Sequence, residues 1–84
     1  MKDSVAFEPR NVEDLRGFFE ANKDVVHEIW IILTKKKCVS LQPVSFNEAV
    51  GEGVRQGLID SRTKTLDAQK YMIRFTKRKK PNAK

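Results

Sequence analysis

Only one cysteine, Cys38, occurs in this chain of 84 residues, and only one histidine, His27. One cysteine makes no intramolecular disulfide, so the fold depends on no oxidising compartment. One cysteine and one histidine do not make a structural zinc site, which takes four ligands. Long apolar runs are missing as well. The longest, Ile29 to Leu33, is five residues, far short of the ~20 that a spanning helix requires. The first ten residues contain Asp3 and Glu8 and no apolar stretch, so they do not read as a secretory leader, and a cytoplasmic protein is the expectation. Glycine and proline are scarce, at four and three, which excludes a collagen-like repeat. Length excludes a multidomain enzyme. A chain this short buries only about 60% of the surface its unfolded form exposes, so one domain with a thin core is expected.

Acidic residues run out toward the end of the chain. Residues 1–34 carry net charge −3, residues 38–61 carry −2, and residues 62–84 carry +8, with Asp67 their only acid. Lys35, Lys36 and Lys37 supply the rest of the overall +6. Such asymmetry points to an anionic partner or to a solvated tail.

The apolar pattern divides the chain into elements. Asn11 reads as a helix N-cap with Asp14 in the first turn, where the helix dipole favours negative charge. Val12, Leu15, Phe18 and Phe19 then recur at helical spacing over residues 12–22. Glu28 to Thr34 is β-branched and aromatic, and apolar at both parities, which predicts a central strand covered on both sides with Trp30 in the core. Ser45-Phe46-Asn47-Glu48 spells a capping box, with Val44 and Ala49 as a hydrophobic staple. The helix it opens is expected to bury Phe46, Ala49, Val50, Gly53 and Val54, and Gly57 is placed as its left-handed C′ residue. Leu58 and Ile59 begin a return strand, and a turn at Asp67-Ala68-Gln69 leads to Tyr71 to Thr76, where Tyr71, Ile73 and Phe75 alternate with Met72, Arg74 and Thr76. With an edge strand near residues 5–7, the expected class is α+β: a small single domain, two helices packed on a short antiparallel or mixed sheet.

Five stretches, in order, carry a resemblance. They are Phe18 to Asn22, Glu28 to Ile31 running into Lys35-Lys36, Ser45 to Val50, Gly57 to Ser61, and Tyr71 to Lys79. Across roughly residues 7–80 the chain resembles the YdeI/OmpD-associated, bacteriocin-protection-like group of uncharacterised bacterial and archaeal proteins. Three departures stand out: relatives commonly have Trp where this chain has Leu58 and Pro where it has Lys77, and they continue past the basic strand into a Ser/Trp-containing linker and further helices. The resemblance implies a single domain over residues 1–80 with 81–84 as a flexible basic tail, a cytoplasmic setting and a stress-protection role. It brings no catalytic set, metal or cofactor.

Residues with chemical possibilities each have a structural alternative. Asp60, just after the helix C-cap and close in sequence to Arg62 and Arg74, reads either as a site carboxylate or as an Asx turn or salt bridge at the helix–strand junction. Cys38 follows three lysines, which lower a thiol's pKa, but no base is placed beside it. Gly51 to Gly57 has the glycines of a phosphate loop in the wrong place, inside a helix already capped at Ser45. The basic residues Arg62, Lys64, Lys70, Arg74, Lys77, Arg78 and Lys79 are the expected anion or partner contacts, with Tyr71 and Phe75 interleaved either as stacking groups or as core. Three functions follow: a non-catalytic interaction module with an unidentified protein partner, a nucleic-acid or other polyanion binder using the basic hairpin, and a small ligand-binding or enzymatic domain around Asp60.

Overall fold

The computed structural model describes residues 4–35 and 43–77. Six elements follow in the order β1 (Ser4–Phe7), α1 (Val12–Asn22), β2 (Glu28–Thr34), α2 (Phe46–Arg55), β3 (Leu58–Thr65) and β4 (Lys70–Lys77). They form one four-stranded sheet of order β1-β2-β4-β3. β1 runs parallel to β2, and β4 runs antiparallel to both β2 and β3. β2 and β3 are therefore parallel to each other, with β4 inserted between them. This is the α+β class that the pattern predicts.

Local chemistry sets the helix ends. The Asn11 side chain accepts a hydrogen bond from the Asp14 backbone N–H at 2.7 Å. At α2 the capping box is complete: Glu48 N–H donates to Ser45 Oγ at 3.1 Å, and Ser45 N–H donates to Glu48 Oε1 at 2.9 Å. Gly57 closes the α2 end with φ +81°, a left-handed conformation that costs an L side chain about 1 kcal/mol. The β3–β4 turn is an Asx turn, in which Asp67 Oδ1 accepts from the N–H groups of Gln69 and Lys70, both at 2.8 Å.

Both helices pack on one face of the sheet. Leu15 and Phe19 of α1 and Ala49 of α2 join Ile29, Ile31, Leu33, Leu58, Ile73 and Phe75 in a single buried cluster. Inside it Phe19 meets Phe75 edge to face, ring centroids 5.0 Å apart, while Phe7 and Phe18 stack at 4.2 Å along its margin. Gly53 is where α2 comes down on the sheet: a Cβ added there would sit 2.5 Å from Phe75 Cε1. Two elements depart from the expected burial. In α2, Phe46 and Val54 are exposed and Glu52 is buried. Glu52 is tolerated inside because Arg16 Nε and Gln56 Nε2 both donate to its Oε2 at 3.2 Å, tying α1 to α2.

β2 is the second departure. Its burial alternates along the strand, with Ile29, Ile31 and Leu33 inside and Glu28, Trp30 and Ile32 half-buried on the other face. The sheet is thus covered on one side, and Trp30 lies on the open face instead of in the core. A run apolar at both parities carries no signal for which parity turns inward, and tertiary packing makes that choice.

Candidate functional site

The open face is built by register. Trp30 lies between Ala6 of β1 and Arg74 of β4, and Glu28 lies beside Ser4 and Thr76. At the far edge, β3 carries an irregularity between Asp60 and Arg62: Asp60 pairs with Phe75 and Arg62 pairs with Arg74, so Ser61 is an extra residue. A β-bulge of this kind inverts the alternation of every residue beyond it. Leu58, inside, would otherwise place Arg62 and Lys64 on its own face. The bulge turns them across to the open face, opposite Arg74 and Met72. Ser61 Oγ donates to the Arg74 carbonyl at 3.5 Å across the irregularity.

Glu28, Trp30, Arg62, Thr63, Lys64 and Arg74 line a groove of about 580 Å³, within the roughly 300–1,000 Å³ of small-ligand clefts. Its charged groups are three cations and one carboxylate. Glu28 organises the floor: its Oε2 pairs with Arg74 Nη2 at 2.8 Å, and its Oε1 accepts from the Trp30 indole Nε1 at 3.2 Å. One carboxylate thereby fixes both the indole ring and the guanidinium fork. Arg74 Nε is buried and meets no hydrogen-bond partner among the described residues, and such an unmet donor costs about 1–3 kcal/mol. Arg62 and Lys64, two residues apart on an extended strand and so about 6.6 Å apart, are exposed at the rim.

Of the basic residues expected to act together, Arg62, Lys64 and Arg74 do meet. Lys70 lies at the opposite end of β4, paired with Glu8 Oε2 at 2.7 Å. Lys77 pairs with Asp24, holding that carboxyl below its ordinary value of 3.8. Arg78, Lys79, Lys36, Lys37 and Cys38 lie outside the described residues. Asp60 is exposed, forms no ion pair among the described residues, and lies on the opposite face from Arg62 in the register. The interleaved aromatics belong to the core: Phe75 is buried, and Tyr71 packs against the cluster, where loss of hydration raises its phenol pKa. The core alternative therefore holds for Tyr71 and Phe75, while Trp30, expected in the core, is the aromatic on the open face.

A second hollow of about 490 Å³ lies at the α1–β2 loop, lined by Lys23, Asp24, Val25, Val26, His27 and Lys77. Its charges are already paired, Lys77 with Asp24, and Lys23 Nζ donates to Gln56 Oε1 at 3.2 Å. Among the described residues no helix is long and apolar enough to cross a membrane.

A mixed four-stranded sheet with two helices on one face and a basic, tryptophan-floored groove on the other defines a small α+β domain with one open sheet face. By sequence the chain belongs to DUF8412, a domain of unknown function, whose family model matches residues 7–83. No curated protein and no solved structure matches it significantly.

Proposed function

We propose that this protein is a non-catalytic binding module whose open sheet face takes a polyanion, nucleic acid being the partner class. The observation that carries the reading is the convergence of Arg62, Lys64 and Arg74 in one groove. Three separate chain positions reach it, two of them only because Ser61 is bulged. A solvated charge run needs no such convergence, because isolated lysines and arginines disperse equally well on any face. The groove offers donors and positive potential, which is what phosphate oxygens require, and phosphate contacts need charge without base readout. The groove's charge favours nucleic acid over a protein as what is held.

The test is an amide NMR titration with short duplex DNA and with single-stranded RNA at two salt concentrations. Saturable shifts at Glu28, Trp30, Arg62, Lys64 and Arg74 are expected. Three phosphate contacts at about 0.7 counterions each predict that log K falls with log salt at a slope of about −2 for a single strand. Shifts confined to residues after Lys77, or no shifts at low salt, would refute the reading.

A further inference from the structure

The groove contains more than charge. Trp30 is the only tryptophan in the chain, and it is held on a sheet face that no helix covers among the described residues. Its β1 neighbour in the register is Ala6, with Ser4 one pair further along, so that flank carries no bulky side chain. Its other flank is Arg74, and Glu28 holds both groups through its two carboxylate oxygens. A large apolar ring left partly in water forgoes the free energy that full burial would supply, about 25 cal/mol per Å² of apolar surface left wet. An ordinary solvated face would carry Thr or Lys at this position. Resting on the polyanion reading above, we propose that the occupant of the groove is single-stranded nucleic acid, with a base stacked on Trp30 and the adjoining phosphates on Arg62, Lys64 and Arg74.

The choice of single strand over duplex follows from which surfaces each exposes. A duplex hides the faces of its bases, so it would use the cations and leave Trp30 idle. A single strand presents π-faces and phosphates together, and stacking tolerates any base because every base has such a face. Ring and cations are arranged on adjacent strands: Trp30 on β2, Arg74 next to it on β4, then Arg62 and Lys64 on β3. A strand lying across the sheet would meet the stacking platform first and the phosphate contacts beyond it. Glu28 acts as a positioning residue, since it orients ring and fork without needing to touch the ligand.

Because Trp30 is the sole tryptophan, fluorescence excited beyond the tyrosine band reads this site alone. Oligo(dT) and oligo(U) of about ten nucleotides should quench it at saturation. A duplex of equal charge and inorganic polyphosphate should bind more weakly and leave it unquenched. Titration calorimetry reads the variants, which lack the fluorophore: Trp30→Ala should lose about tenfold or more in affinity for both oligonucleotides, with Trp30→Phe restoring most of it. Polyphosphate binding should change little in either variant. Because Trp30→Ala risks unfolding, far-UV circular dichroism accompanies each titration, and the quenching experiment on the unaltered protein stands without it. Duplex and polyphosphate binding as tightly as the oligonucleotides, without quenching by any of them, would overturn the stacking proposal and leave the polyanion reading intact. No binding by any of the four probes at low salt would overturn both.

Discussion

Two glycines two residues apart in the same helix are expected to respond in opposite directions to the same change. Gly51 and Gly53 both lie in the interior of α2, where replacing glycine by alanine stabilises a helix by about 1 kcal/mol. A Cβ on Gly51 meets nothing within 4 Å, so Gly51→Ala should realise that gain in full. A Cβ on Gly53 would lie 2.5 and 2.8 Å from two ring carbons of Phe75, against an ordinary carbon–carbon contact of about 3.5–4.0 Å. The ring has little room to give, because Phe75 is fully buried and packs edge to face with Phe19. Overpacking of a close-packed core costs roughly 1–3 kcal/mol. Gly53→Ala should therefore come out about 1 kcal/mol less stable than the parent despite its better helix propensity. The two variants then differ by about 2 kcal/mol, or roughly 8–16 °C in Tm for a domain of this size. Urea denaturation of both variants with an unchanged m-value is the assay. The double variant Gly53→Ala/Phe75→Leu should recover part of the loss, giving a coupling of about 0.5–3 kcal/mol. If Gly53→Ala proves as stable as Gly51→Ala, then α2 does not rest on Phe75, and the packing described for the core is wrong.

The remaining predictions concern charge, turn and register. Removing Arg16 leaves Glu52 buried and unpaired, whereas replacing Glu52 by methionine removes the buried charge itself. Arg16→Ala should cost about 1–3 kcal/mol by chemical denaturation, and Glu52→Met should cost less or nothing. The two backbone N–H groups of Gln69 and Lys70 depress the Asp67 carboxyl below its ordinary value of 3.8. A depressed folded pKa gives stability that is fully present above that value and is lost as pH falls through the folded one. Asp67→Asn keeps an acceptor oxygen for the turn but should flatten the acid limb of a stability–pH curve below about pH 4. Deleting Ser61 should regularise β3 while keeping Arg62 opposite Arg74, so cross-strand NOEs between those two residues should survive. Deleting Thr63, beyond the bulge, should instead turn Lys64 to the helix face and weaken oligonucleotide binding.

Wherever the signal is local, the fold was legible in the chain. Asn11 and Ser45 announce the helix starts through their own side-chain hydrogen bonds, Gly57 announces a left-handed stop, and Tyr71, Ile73 and Phe75 mark an inward face by simple alternation. The site was less legible, for two physical reasons. Ile29 to Leu33 is apolar at both parities, so nothing in it told that Ile29 and Ile31 turn in and Trp30 turns out. In β3 the alternation is broken at Ser61, and a bulge between two polar residues leaves no trace in hydrophobic pattern. Reading Leu58 as inward and counting by twos sends Arg62 and Lys64 to the wrong face. Arg62, Lys64 and Arg74 were recognisable as candidates from charge alone, but their partner Trp30 was not, and neither was Glu28. A partial signal did exist for Glu52: it lies three residues beyond Ala49 on the inward side of α2, where a lone acid asks for a cation from a neighbouring helix.

The place of β4 in the sheet bears on how the protein comes to exist in the cell. Among the described residues, β3 pairs with β4 alone, and β2 has the four-residue β1 beside it until β4 arrives. As the chain leaves the ribosome at roughly 5–20 residues per second, its first two strands, both helices and β3 must wait, loosely associated, for the residues up to Lys77. The β3–β4 hairpin closes locally across its turn, whereas pairing of β4 with β2 joins partners far apart in sequence, and such non-local pairing sets a slow pace for folding. The same event assembles the groove, since Trp30, Arg74 and Arg62 come from β2, β4 and β3. A nascent or partly opened chain therefore has the charges but not the assembled groove.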